Sequence, residues 1–323
     1  YDLETTIDIN LQDVSQAALL RALESHNADY SSVVVMEVAT GEIKAISNLS
    51  KYSTGSYGER YNYAVGSHGL REPGSTFKLA TMLALFEETN LKLSDSIDTG
   101  EGEFQFYEQV VKDHEEGGYG VISVQKAFEQ SSNIAMAKLA DKHFGLQPQA
   151  FYDQLEKLGL TKPLGFQMVG EGVPTVQKPE EWSGITLPWM AHGYGLELTP
   201  LHTLTLYNAI ANDGNMVQPR IVKAVRRADK TVAEYEPVTI KKKICSDATL
   251  AKLQKLLEGV VANGTANNIN DADYKIAGKT GTAVTLKNGR YQKAYMTSFA
   301  GYFPADNPQY SCIVIIENPK GVY

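Results

Sequence analysis

Apolar positions along the chain change period several times, and each change predicts an element. Leu11, Val14, Ala18, Leu19, Ala22 and Leu23 recur at helical spacing, behind Asn10 as a cap and Asp13 in the first turn. Val33-Val34-Val35-Met36-Glu37-Val38 and Glu42-Ile43-Lys44-Ala45-Ile46 are β-rich runs parted by Ala39-Thr40-Gly41, a short hairpin signal. Residues 50 to 72 keep neither period and, with Ser53, Gly55, Ser56, Gly58, Gly66, Ser67 and Gly69, read as a loop. Pro73-Gly74 then opens a helix through Leu79, Met82, Leu83, Leu85 and Phe86, apolar enough to be buried on most sides.

Farther on, Ser123 caps a helix through Ala127 and Phe128, and Ile134, Met136, Leu139 and Ala140 mark another. Ser131-Ser132-Asn133 between them are poor helix formers that suit a helix-helix loop. Phe151 to Ala211 carries more helical pattern, broken at Gly193-Tyr194-Gly195 and Thr199-Pro200, so the middle of the chain reads as mostly α. After Pro219 the pattern turns to β-prone runs such as Ile221 to Val225. A helix from Ser246 to Val261 follows, ended by Asn263-Gly264, and three β-type runs close the chain at Tyr274 to Val284, Ala294 to Phe303 and Tyr310 to Glu317. Strands at both ends around a helical middle predict an α+β fold. Its antiparallel sheet has about five strands built from both chain ends and flanked by helices. The sheet part covers roughly residues 1–70 and 240–323, with a mainly helical part inserted over roughly 79–235.

Composition narrows the function more than the fold. The 323 residues carry 43% hydrophobic side chains and a net charge of -8, which provides a large core and argues against nucleic acid as a partner. Lys241-Lys242-Lys243 reads as a solvated segment. Cys245 and Cys312 lie far apart without a ligand spacing, so no metal site is expected, and Cys312, in an apolar run, reads as a buried inert thiol. No apolar run approaches the roughly 18 residues of a membrane helix. The chain starts at Tyr1 without a methionine and is expected to be part of something longer.

Candidate chemistry begins at Glu72-Pro73-Gly74-Ser75-Thr76-Phe77-Lys78, which puts a serine in the first helical turn and a lysine three residues on. Serine is a weak nucleophile that needs a base within reach, and at this spacing the two Cβ atoms lie roughly 5–6 Å apart on one face. The spacing alone does not single out the pair, because Ser123-Val124-Gln125-Lys126 repeats it; there, a helix cap with a solvated lysine explains the residues. Lys78 must also be neutral to accept a proton, and a second nearby cation favours that form. Lys279, in Ile276-Ala277-Gly278-Lys279-Thr280-Gly281-Thr282-Ala283, is the candidate. Its glycines admit close backbone approach, Thr280 and Thr282 share a strand face, and a cation beside hydroxyls suits a carboxylate. Taken alone, this stretch reads more readily as an exposed edge strand with a solvated lysine.

Ser75-Thr76-Phe77-Lys78, Ser131-Ser132-Asn133 and Lys279-Thr280-Gly281-Thr282 resemble, in order and rough spacing, the S-x-x-K, S-x-N and K-T-G motifs of penicillin-binding proteins and serine β-lactamases. Any one is cheap, but the ordered set is specific. With Trp189-Met190-Ala191-His192-Gly193-Tyr194-Gly195-Leu196 and Thr199-Pro200-Leu201, nearly the whole chain resembles the transpeptidase domain of class B penicillin-binding proteins, more the division-specific septal type than the elongation type. His192 stands where that pattern usually has Phe, and a structural or substrate-edge place suits it better than a catalytic one.

The resemblance implies a serine peptidoglycan D,D-transpeptidase that needs no cofactor, with Ser75 attacking the penultimate D-Ala carbonyl of a stem peptide and Lys78 taking its proton. It further implies an oxyanion hole from the Ser75 and Thr282 N–H groups, proton relay by Ser131 between Lys78 and Lys279, and substrate contacts from Asn133, Thr280, Gly281 and Thr282. The implied partners are D-Ala-D-Ala stem peptides, β-lactams, a glycosyltransferase and other division proteins. The implied place is the periplasmic face of the bacterial inner membrane. In the full-length protein the resemblance implies an N-terminal anchor, a pedestal module and a helix after the last strand, none of them in this sequence. A class A β-lactamase is disfavoured because no Glu-x-x-x-Asn string lies between Asn133 and Lys279, and a class D enzyme because Asn133 stands where Val or Ile is usual. A D,D-carboxypeptidase shares the motifs, and a β-lactam-sensing receptor domain is the rival of another class.

Overall fold

The structure, a computed structural model, describes residues 1–228, 230–271, 273–287 and 290–321; Val322 and Tyr323, part of the expected chain end, lie outside the described residues. In chain order the helices are α1 (Ile9–His26), α2 (Lys78–Glu88), α3 (Val124–Glu129), α4 (Asn133–Phe144), α5 (Pro148–Lys157), α6 (Thr186–Met190), α7 (Pro200–Ala211) and α8 (Asp247–Asn263). The main sheet takes β1 (Tyr30–Glu37), β2 (Ile43–Lys51) and β3 (Tyr57–Gly58) from the start of the chain. From its end come β4 (Ala277–Lys287), β5 (Arg290–Phe303) and β6 (Tyr310–Glu317).

These six strands are antiparallel in the order β4-β5-β6-β1-β2-β3, so the α+β reading holds and the sheet has one strand more than expected, the two-residue β3. The two chain ends join where β6 meets β1, with Ile313 opposite Val34. This join is covered on both sides. Leu19 and Leu23 of α1 pack with Val33, Val35, Ala45 and Leu49 on one face. On the other, Val34, Met36, Ile43, Ile313 and Ile315 enter the large core shared with α2, α7 and α8. At the far edge, β4 is paired only on its β5 side in the main sheet, which leaves its other flank to the start of α2.

Three details differ from the sequence reading. Asp8, rather than Asn10, caps α1, because its carboxylate accepts the N–H groups of both Asn10 (2.9 Å) and Leu11 (3.1 Å). Val14 and Ala18 are exposed, and Gln12 takes a place on the packing side by exchanging two 2.9 Å hydrogen bonds with the backbone of Ile46. The middle of the chain is also less purely helical than expected. Short antiparallel pairs, Ser96–Asp98 with Val121–Ser123 and Glu103–Phe106 with Gln109–Lys112, frame the approach to α3 and α4.

Candidate active site

Ser75 does not lie in the α-helix itself. It sits on a 3-10 turn, Gly74–Phe77, that feeds directly into α2, and the turn is clamped at backbone distance from both sides. Gly74, at φ +56°, donates its N–H to Gly193 O at 3.0 Å, and a Cβ on Gly193 would lie 1.9 Å from Gly74 O. From the strand side, a Cβ on Gly281 would come within 2.4 Å of Ser298 Oγ and 3.1 Å of the Thr76 methyl. Thr76 Oγ1 donates to Pro73 O at 2.8 Å, and Tyr207 of α7 donates to Thr76 O at 2.8 Å. Packing from the Gly193 loop, β4 and α7 therefore fixes the backbone of the turn that carries Ser75. Its N–H, among the first of a helical turn, has no acceptor within that turn.

Lys78 opens α2 and is fully buried. The surrounding Leu79, Met82, Leu83 and Leu85 are fully buried too, and at roughly 2 kcal/mol each they offset the cost of carrying an amine into the core. Its amine hydrogen-bonds across to the α3–α4 turn. Nζ donates to Ser131 O (2.6 Å), Asn133 Oδ1 (2.6 Å) and Ser131 Oγ (3.1 Å), three acceptors that the α3–α4 turn brings onto it. Ser131 holds φ at +58°, a conformation rare for a serine, and this aims both of its oxygens at one amine. The Asn133 amide is held at its other end too, donating to Lys112 O at 2.9 Å.

Lys279 is buried as deeply, but the alternation of β4 sends it away from Thr280 and Thr282. Its Nζ donates to Thr280 O at 3.1 Å and lies 5.8 Å from the centre of the Phe128 ring. Thr280 shares a 2.6 Å hydrogen bond with the Thr265 hydroxyl, and Thr282 stays half-buried on the same side. Burial lowers Lys279 to about 7. Lys78 is held well below the usual lysine range by burial first and by the charge of Lys279 second, with Asp113 opposing both. From the sequence, Lys279 is the reason for a lowered Lys78; in the structure it contributes, but second to burial. A side chain with no exposed surface loses hydration on every side, and that exceeds the effect of one neighbour.

Three further residues belong to the site. Asp113, at the end of the Glu103–Lys112 hairpin, accepts the N–H groups of Asn133 (2.6 Å) and Ile134 (3.1 Å) and the Ser132 hydroxyl (2.8 Å). Nothing local in the sequence marks it. Glu72, inside the first motif but without an expected role, accepts Gly195 N–H (2.8 Å) and the Tyr291 hydroxyl (3.2 Å), and burial raises its carboxyl. It ties the Gly-Tyr-Gly loop to the serine turn. His192 is buried with neither ring nitrogen bonded among the described residues, and burial, with Lys78 as a smaller cause, pushes it down to about 3. It stays a neutral edge of a cavity of about 300 Å³ that Asn133, Trp189, Tyr194, Val284 and Tyr291 also line. Among the described residues no group of three or more His, Cys, Asp or Glu is arranged to hold a metal. Ser123-Val124-Gln125-Lys126 stands apart, as a helix cap with an exposed lysine.

The arrangement offers a serine on a clamped turn, a buried amine held below the usual lysine range, a second serine on that amine, and an edge strand beside them. Residues 31–323 match the family described as penicillin binding protein transpeptidase domain. Penicillin-binding protein PbpB of Mycobacterium tuberculosis is 32% identical over 97% of this chain and 48% of its own length. Stage V sporulation protein D of Bacillus subtilis is 29% identical over 99% of this chain and 50% of its own. The chain thus spans about half the length of these curated relatives. Among solved structures, penicillin binding protein 3 of Mycobacterium tuberculosis complexed with aztreonam superposes with a TM-score of 0.86 at 31% identity, over 98% of this chain and 73% of that one. By the extent of the family match and the identity to PbpB, the chain belongs to the penicillin-binding protein transpeptidase family.

Proposed function

We propose that this chain is the catalytic domain of a peptidoglycan D,D-transpeptidase, and that a serine acyl-enzyme carries the reaction. The observation that supports this most is Lys78, fully buried three residues from a clamped Ser75 and held well below the usual lysine range. Ser75 Oγ attacks the penultimate D-Ala carbonyl of a stem peptide, its proton passing to Lys78 as the C–O bond forms. The N–H groups of Ser75 and Thr282 receive the oxyanion, at roughly 3–4 kcal/mol of barrier per donor. Collapse breaks the peptide C–N bond, and the terminal D-Ala leaves with a proton delivered by Ser131, which Lys78 already touches. Thr280 and Thr282 hold the terminal carboxylate, with Gly281 keeping the strand close and Lys279 supplying positive charge from behind it. Asn133 bonds the substrate amide once its own oxygen or NH₂ is released. An amine of a second stem peptide then attacks the ester carbonyl, loses a proton, and regenerates the Ser75 hydroxyl.

β-Lactams mimic the donor and would acylate the same serine. The Gly193-Tyr194-Gly195 segment supports a septal role at the periplasmic face of the bacterial inner membrane, with a glycosyltransferase and other division proteins as partners. Asp113, already accepting three hydrogen bonds, is poorly free to activate water, which supports slow hydrolysis of the ester. Labelled penicillin decides: a long-lived adduct mapping to Ser75 is expected. Rapid loss of label with drug turnover would instead indicate a hydrolase, and no adduct would end the serine mechanism.

A further inference from the structure

Asp113 does two things that are separable in principle. Its Oδ1 takes the Asn133 and Ile134 N–H groups and its Oδ2 the Ser132 hydroxyl, while its own N–H donates to Gly102 O at 2.9 Å. A carboxylate at the start of α4 is favoured by the helix as well as by these donors. Since Asn133 Oδ1 accepts from Lys78, a single residue lies between the carboxylate and the amine. Three charges therefore interact here: the buried Lys78 on α2 and Lys279 on β4, and the half-buried Asp113 just after the hairpin. With both lysines protonated the set carries a net positive charge, and with one proton gone it is neutral.

We propose that Asp113 is a positioning residue with two roles: its hydrogen bonds hold Ser131-Ser132-Asn133 on Lys78, and its charge favours the protonated form of the neighbouring lysine pair against burial. The inference rests on the reading of Lys78 as base to Ser75. The other titratable groups turned towards this region do not substitute for Asp113. Lys279 opposes it; His192, from the loop after α6, and His114, next to Asp113, are both disfavoured as cations by burial and by Lys78. Tyr119 hydrogen-bonds Gln130 O, and burial with the charges of Asp113 and Glu115 keeps its phenol protonated.

The test is the second-order rate of acylation by a fluorescent penicillin across pH 5 to 9, on the whole chain. Asp113→Asn keeps an oxygen for the Asn133 and Ile134 N–H groups but drops the charge. Its acid limb should move down by about one pH unit, and in the acid range its rate relative to its own plateau should exceed that of the parent about tenfold. Asp113→Ala, which loses the acceptors as well, should lose about tenfold or more on the plateau, with its acid limb moved down in the same way. If D113N does not fold, Asp113→Ser, which keeps an acceptor without the charge, is read the same way. A limb that stays or moves up in the uncharged variant overturns the proposal, even when the plateau falls. A parent protein without a Ser75 adduct, or without an acid limb, fails at the earlier reading and takes this inference with it.

Discussion

The chain contains the same short motif twice, and the two copies do different things. Ser75 and Lys78 sit in and after a 3-10 turn with no side-chain cap, and the lysine is buried against Ser131 and Asn133. Ser123 and Lys126 open α3, where the serine oxygen accepts Lys126 N–H at 3.1 Å and the lysine side chain is exposed. In the second copy the hydroxyl satisfies its own helix. In the first, the Gly193 loop and β4 hold the turn so that helix capping makes no claim on the hydroxyl. The difference lies in burial and in partners more than fifty residues away, 53 for Ser131 and 55 for Asn133.

The largest expected separation comes from replacing the two lysines by the same residue. Lys78→Met should lower the rate of penicillin acylation by about 10³-fold, the usual worth of a general base. Lys126→Met should leave it within about twofold, since an exposed lysine outside the site has no partner there to lose. Stopped-flow labelling at pH 7.5 measures both. Comparable losses in the two variants would erase the distinction drawn between the copies.

Lys279→Met separates activity from stability inside the site. Acylation should fall by about 10²-fold with the loss of the charge behind the strand, while thermal stability should rise. The sign follows from the lowered lysine. Below about 7 the folded protein must keep a buried cation protonated, so Lys279 costs stability there in full. Between about 7 and the ordinary 10.4 the unfolded chain binds more protons, and the cost fades as pH rises. The gain in Tm should therefore be largest near pH 6 and close towards pH 10. A variant less stable than the parent at pH 6 would show that Lys279 stabilises the fold.

Elements held by a repeated pattern were legible in the sequence. The last three strands fall within a few residues of their runs, except that β5 starts earlier, at Arg290, and the Asn263-Gly264 end of α8 stands where expected. Elements decided by single polar contacts were not. Asp8 and Asn10 both qualify as caps by residue type, and only the turn geometry chooses Asp8; Gln12 reads as a surface residue until the Ile46 backbone meets it. At the site, the three motifs gave the positions that fold together. They could not give the order of causes at Lys78, because burial depends on the whole core. Asp113 is invisible for a related reason: its donors lie 19 to 21 residues further along the chain, beyond a loop, the short strand Val121–Ser123 and α3, whose pattern carries no sign of them.

The smallest effect tests the comparison most sharply, because it crosses two readouts. Ser123→Ala removes a cap oxygen and should cost about 1 kcal/mol in urea unfolding. Labelling should not change, since Ser123 lies outside the site. Ser75→Ala removes a hydroxyl that makes no cap bond, so unfolding should move by less than about 0.5 kcal/mol while labelling disappears. The two serines would then have exchanged roles completely, one acting on the fold alone and the other on chemistry alone. If Ser75→Ala also cost about 1 kcal/mol, its hydroxyl would have a structural partner, and the two serines would not differ in what they contribute to the fold.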